Sequence, residues 1–241
     1  MPVAVITGAS RGLGRALATA LAERGWDLVL DARTGNVLED AAREARAYGT
    51  RVVALAGDVT DAGHRTELVA AARGLGGLDL LVNNASALGA EPLVRLEELS
   101  PEGLRAALET NVVAALGLVR EALPLLREAA GRGGEAGAVI SVSSDAAVEA
   151  YETWGGYGAS KAALDQLSAV LAAEEPGLRV WAVDPGDMRT GLYAAAVPDD
   201  DAWRPEPAAV VPAFLRLLGE RPRRASGRYV ASALLGAEGE R

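Results

Sequence analysis

VAVITGASRGLG, Val3 to Gly14, is the stretch whose reading decides the fold. Val3–Ile6 is a short run with no polar face, as in a strand covered on both sides. It stops at Thr7, and Gly8, Gly12 and Gly14 crowd the turn into a helical pattern over Gly14–Arg24. Glycines there allow a tight turn, a close backbone approach to a pyrophosphate and tight packing of helix on strand. The same alternation continues outward. Asp27–Asp31, Arg51–Ala56, Asp79–Val82, Ala138–Val142 and Arg179–Val183 read as strands. Val37–Tyr48, Asp61–Arg73, Pro101–Glu128 and Tyr157–Glu174 read as helices. A helix near Ala208–Leu218 and a strand near Arg228–Val230 complete seven strands. Strand-helix alternation implies right-handed crossovers. The expected fold is therefore α/β: a doubly wound, mostly parallel seven-stranded sheet flanked by helices on both faces. GRGGEAG at 131–137 reads as an exposed loop rather than a linker, so residues 1–241 are expected to form a single domain.

Bulk properties narrow the function. Half of the 241 residues are hydrophobic, enough for a substantial core. A formal net charge of −9 argues against a nucleic-acid surface, though not against a locally positive phosphate pocket. There are no cysteines, which excludes disulfides and thiolate chemistry, and the single histidine, His64, leaves little for a metal centre or a Ser-His-Asp triad. His64 is expected on a helix surface. The N-terminus lacks a basic region before its short apolar run, and no apolar stretch approaches the roughly 20 residues of a membrane span. A cytoplasmic protein with no membrane and no metal partner is expected. The composition, rich in alanine, arginine and glycine, fits a GC-rich bacterial genome.

The glycine turn in its strand-turn-helix context predicts a Rossmann-like dinucleotide site. Which dinucleotide depends on the end of the second strand, where an acid selects the ribose 2′-hydroxyl of NAD and an arginine accommodates the 2′-phosphate of NADP. LVLDARTG places Asp31, Ala32 and Arg33 there. Arg33 and Arg11 together suit a 2′-phosphate, and NADP(H) is favoured over NAD(H). Asp31 would repel that phosphate if it faced the pocket; it can equally lie under the sheet edge or pair with Arg33. Asp58, in AGDVT, is placed either to accept from an adenine amino group or to serve helix entry beside Thr60 and Asp61. Asn83 and Asn84, in NNAS, suit hydrogen bonds between crossing loops.

A proton-transfer pair complements the hydride carrier. Tyr157 and Lys161, in YGASK, lie one helical turn apart on one face. Tyrosine is a poor acid near neutrality, and an adjacent ammonium favours its anion. Ser144, at a separate strand end, can hold a carbonyl oxygen where the tyrosine protonates it. Lys161 is the chain's only lysine among arginines, and arginine is no substitute where a compact ammonium tunes a neighbour. Trp181 and Trp203 read as core or loop packing.

These motifs, in order from Val3 to about Thr190, resemble the short-chain dehydrogenase/reductase family: Thr7–Gly14, Asp58, Asn83–Ala85, Asn111, Ser144, Tyr157–Lys161 and Pro185–Gly186. The resemblance implies Tyr157 as general acid or base, with Ser144 binding the substrate oxygen. Lys161 would hold the nicotinamide ribose and lower the Tyr157 pKa, and Asn111 would anchor a water in a proton relay. It also implies a cofactor site formed by Thr7, Gly8, Ser10, Arg11, Gly12, Leu13, Gly14, Arg33, Asp58, Val59, Asn84, Ala85, Tyr157, Lys161, Pro185, Gly186, Met188 and Thr190. Departures fall in substrate and assembly regions. Ser86 replaces a glycine beside the substrate channel, Asp145–Ala147 follows Ser144 without a glycine, and the C-terminus lacks a diglycine tail. A homodimer through the Asn111 and Tyr157 helices is expected, or a homotetramer. Residues 187–207 read as a mobile substrate lid, with Met188, Leu192, Tyr193 and Trp203. Few cations lie there, so the expected partner is a small, largely uncharged carbonyl or alcohol. The alternatives are a non-catalytic dinucleotide-binding regulator, and an NAD-dependent alcohol dehydrogenase, epimerase or dehydratase using Asp145 or Glu149.

Overall fold

A computed structural model describes residues 1–132, 135–220 and 225–236. Seven strands, β1 (Val3–Ile6), β2 (Asp27–Ala32), β3 (Val52–Ala56), β4 (Leu80–Asn83), β5 (Ala138–Val142), β6 (Arg179–Asp184) and β7 (Gly227–Val230), form one sheet in the order β3-β2-β1-β4-β5-β6-β7. Every neighbouring pair is parallel. The helices are α1 (Gly12–Ala22), α2 (Gly35–Arg46), α3 (Ala62–Gly74), α4 (Pro101–Leu108), α5 (Ala114–Arg127), α6 (Gly155–Glu174), α7 (Gly191–Ala196), α8 (Val211–Gly219) and α9 (Ala231–Gly236).

Alternation along each strand divides the core in two, as the period of the strand requires. Ala4 and Ile6 of β1, with Leu28, Leu30, Ile140 and Trp181, face Leu17 of α1, Leu38 of α2 and Phe214 of α8. Val3 and Val5, with Val29, Leu81 and Val139, face Leu68 of α3 and Leu118 and Leu125 of α5. Both faces are thus apolar, which explains strands without a polar side. The strand order reverses between β1 and its two neighbours β2 and β4, opening a crevice at the strand C-terminal ends. All of the chemically suggestive motifs sit there.

Two expectations need correction. The helix read over Pro101–Glu128 is two helices joined by a π turn, Glu109–Val113, which puts an extra residue into the turn at Asn111. Trp203 is 83 % exposed and packs against no core, whereas Trp181 is fully buried as expected and donates from Nε1 to the Ala225 carbonyl at 2.9 Å. Of the glycine-rich run at 131–137, Gly133 and Gly134 lie outside the described residues.

Candidate active site

The glycine turn is held from below by its own neighbours. Thr7 is buried, and its hydroxyl donates to Val82 O (3.3 Å) while accepting from Asn84 N (2.9 Å) and Ala85 N (3.0 Å). The Asn84 side-chain amide donates to Thr7 O (2.8 Å) and Gly8 O (3.1 Å). Of the crossing-loop bonds anticipated for the NNAS run, those of Asn84 are present and stitch the β1 and β4 loops together, whereas the Asn83 side-chain nitrogen is buried without a hydrogen-bond partner. Gly8 and Gly12 have positive φ, 64° and 54°. A Cβ on Gly12 would reach 3.4 Å from the Thr190 methyl, and one on Gly8 would reach 3.0 Å from the Ala85 Cα. The turn is a cradle whose free space side chains would fill, as a pyrophosphate site needs.

Above the cradle lie two adjoining cavities. One, about 340 Å³, runs from Gly8, Arg11, Gly12 and Leu13 past Asn84 to Ser144, Tyr157 and Lys161, with Pro185, Gly186, Met188 and Thr190 along one wall. The other, about 230 Å³, is bounded by Ser10, Arg11, Arg33, Asp58, Val59 and Ala85. Arg11 and Arg33 border both and are solvent-exposed. Thr7 and Gly14 lie beneath them, and Asn111 is behind, against the α6 helix.

Asp58 accepts from Thr60 N (2.9 Å) and Thr60 Oγ1 (2.8 Å), and these bonds hold its pKa below the usual value, with a smaller pull from Arg33. Asp61 caps α3, accepting from His64 N at 3.1 Å. Thr190 caps α7 in the same way, accepting from Tyr193 N at 3.1 Å.

At the opposite end Tyr157 is 6 % exposed, and Trp154 stands edge-on to it with ring centroids 5.6 Å apart. The Lys161 ammonium lies 5.5 Å from the centre of the Tyr157 ring. Lys161 is 1 % exposed and donates to the Val142 carbonyl at 2.8 Å. Burial pushes its pKa down to about 8, against a smaller upward pull from Asp165. The net Tyr157 shift is upward, not downward as expected: burial pushes the phenol up to about 12, against smaller downward pulls from the Ser86 and Ser144 hydroxyls. Desolvation of the anion outweighs any nearby dipole in such a site. Ser144 donates to Asp145 Oδ1 at 3.1 Å and accepts from Ala146 N at 3.2 Å. Ser86, the residue in place of glycine, has a buried Oγ that makes no well-formed hydrogen bond.

Other residues support this end, and of these Ser160 and Arg228 carry no sequence signal strong enough to single them out. Asn111 is 1 % exposed; its amide donates to Ala87 O (2.9 Å) and Ser160 Oγ (2.7 Å), and its Oδ1 accepts from Ala87 N (2.8 Å). Ser160 in turn donates to Tyr157 O at 2.6 Å, a link that its place three residues after Tyr157 could have suggested. Arg228 of β7 donates to Ser144 O (2.9 Å) and Asp165 Oδ2 (3.0 Å), tying the last strand to the Ser144 end of the cavity. His64 is not on a helix surface. It is 8 % exposed and bonds Asp31 at 2.7 Å, so Asp31 pairs with histidine rather than with Arg33.

The 187–207 segment is folded as α7 and a turn. Arg204 closes the turn onto Tyr193 Oη and Asp200 Oδ2, both at 2.7 Å, and faces Asp187 at 3.3 Å; Arg189 pairs with Glu206.

The family model for short chain dehydrogenases matches residues 2–201. An uncharacterised oxidoreductase of Mycobacterium tuberculosis is 35 % identical over 220 residues, covering 90 % of this chain and 80 % of that one. Sepiapterin reductase of Meriones unguiculatus is 38 % identical over 205 residues, covering 80 % of this chain and 77 % of its own. An alcohol dehydrogenase from the archaeon Thermococcus sibiricus, complexed with 5-hydroxy-NADP, superposes with a TM-score of 0.83 at 29 % identity over 95 % of both chains. A crevice at the sheet switch point, holding a buried tyrosine and lysine opposite a glycine cradle, defines a dinucleotide-dependent oxidoreductase. The chain belongs to the short-chain dehydrogenase/reductase family.

Proposed function

We propose that this enzyme is an NADP(H)-dependent reductase of small, largely uncharged ketones, aldehydes or diketones, working reversibly on the corresponding alcohols. The carrying observation is one continuous cavity with the glycine cradle at one end and Ser144, Tyr157 and Lys161 at the other. The bound dinucleotide supplies the hydride. Gly8, Ser10, Gly12, Leu13, Ala85, Pro185, Gly186, Met188 and Thr190 would hold it, with Asp58 and Val59 at its adenine end and Lys161 at the nicotinamide ribose. Ser144 turns from Asp145 to hold the substrate oxygen, and Tyr157 gives that oxygen its proton. A phenol held at about 12 stays protonated at neutral pH, the state that reduction requires. Lys161, charged below about 8, offsets the tyrosinate left behind. Asn111 positions this end by fixing Ser160 and the Ala87 backbone, and its second Oδ1 lone pair can take a relay water.

The NADP reading is supported by Arg11 and Arg33 at the cavity mouth, and by the archaeal relative's complex with an NADP derivative. The substrate reading is supported by cations that are already paired, Arg189 and Arg204, and by Asp145 and Asp187 on the cavity wall. These disfavour an anionic substrate. Exposed Val113 at the end of the π turn, Leu116 on α5 and Val170 on α6 suit the homodimer face.

The test is to titrate the protein with NADPH and NADH separately, following energy transfer from its four tryptophans. Tighter NADPH binding is expected, followed by turnover of neutral carbonyls above acidic ones. Tyr157→Phe should keep NADPH affinity and lose at least about a hundredfold in turnover; full turnover by that variant would end the enzymatic reading.

A further inference from the structure

Asp31 stands at the tip of β2, one residue before Ala32 and two before Arg33, and it borders the smaller cavity. An ionised carboxylate there should oppose a 2′-phosphate. Its side chain is nevertheless turned inward. Asp31 is 1 % exposed, its Oδ1 lies 2.7 Å from His64 Nε2, and its Oδ2 accepts from Gly8 N at 3.4 Å. With the carboxylate as acceptor, the ring carries a proton on Nε2. The ring has nowhere else to go. A Cβ on Gly57 would come within 2.3 Å of His64 Nδ1, so the backbone after β3 closes directly on the imidazole. The other side is fixed by the α3 cap, where Asp61 accepts from His64 N.

We infer that His64 is a specificity-determining positioning residue: it holds the Asp31 carboxylate beneath the glycine turn, leaving Arg11 and Arg33 to face the adenosine 2′-phosphate. The inference rests on the cofactor reading above. Two physical points support it. A buried carboxylate without a partner either takes up a proton or turns toward solvent, and the smaller cavity that Asp31 borders is the adjacent open space. The remaining charges around the pair are Asp58, which faces Asp31 from the loop after β3, Asp61 at the helix cap, and Arg33, which faces Asp58. None of these replaces the contact at Nε2. His64 thus acts on the cofactor through Asp31 without touching it.

The experiment measures NADPH and NADH dissociation constants for the wild type, His64→Leu, Asp31→Asn and the double variant, with thermal melting of each. His64→Leu should weaken NADPH about tenfold or more and leave NADH little changed, as a negative charge brought to a phosphate site requires. Adding Asp31→Asn to His64→Leu should restore NADPH binding, because the amide carries no charge. A structural role alone would weaken both dinucleotides together and would not be rescued. Asp31→Asn by itself should leave NADPH affinity near the wild-type value. If that single variant instead raises it tenfold, Asp31 already faces the cavity and the inference fails, even where His64→Leu does not fold. Failure of the underlying reading is separate: there the wild type itself would show no preference for NADPH.

Discussion

At the scale of single residues, burial decides the electrostatics of the Tyr157 and Lys161 end of the cavity. Lys161 and Tyr157 are both nearly inaccessible, and each is pushed toward its neutral form, the lysine down to about 8 and the phenol up to about 12. The consequence for pH has a definite sign. Between pH 8 and pH 10 the unfolded chain keeps a protonated lysine, with a reference pKa of 10.5, while the folded chain has released that proton. Stability contributed by this group therefore rises with pH across that window, since the unfolded state binds more protons. Activity should move oppositely, because the charge that offsets the tyrosinate disappears. Urea unfolding across the window should show a stability increment in the wild type that Lys161→Met lacks. The kcat/KM for NADPH should decline over the same range. An identical pH dependence of stability in both proteins would show that the lysine titrates outside the window.

At the scale of elements, the contact between the glycine turn and α1 is a tight constraint on the site. Alanine in place of a helical glycine ordinarily stabilises by about 1 kcal/mol. Gly14 is different, because its Cβ would lie 2.5 Å from Gly8 O and 2.6 Å from the Asn84 amide. Overpacking of this kind costs about 1–3 kcal/mol, so the clash outweighs the propensity. Gly14→Ala should lower the melting temperature and abolish NADPH binding by pushing α1 off the turn. Unchanged binding in a fluorescence titration would mean the helix start can shift without disturbing the cradle. The π turn at Asn111 is the second such device. A regular helix over this stretch, as its unbroken helical pattern suggested, would rotate Asn111 relative to Ala87 and Ser160.

At the scale of the whole molecule, the two-sided core separates stability from chemistry. Phe214 is fully buried on the α1 and α8 face and lines none of the described cavities. Phe214→Ala should destabilise by about 3–5 kcal/mol in denaturant unfolding, the usual cost of a large core cavity, with NADPH affinity held within a few-fold. Loss of binding in a variant that remains folded would instead show that the core face and the crevice move together. The sheet order explains the expected independence: the crevice lies at strand ends, whereas the core lies along strand lengths.

The seven strands, most of the helices between them and the parallel sheet were determined by the sequence alone, whereas α7, inside the segment read as a mobile lid, and α9 were not read from it. Period and turn chemistry act over a few residues, and Val3–Ile6, the glycines after it and the Tyr157–Lys161 spacing carry their information locally. The roles of residues joined across the fold were decided only by tertiary structure. His64 has the sequence context of a helix surface, yet β2 and the loop after β3 close over it and give it Asp31 as a partner. Ser160 and Arg228 likewise acquire their importance from elements far away in sequence. The direction of the Tyr157 shift also belongs to the assembled fold, because desolvation sums over every group packed around the phenol and no spacing along the chain encodes it.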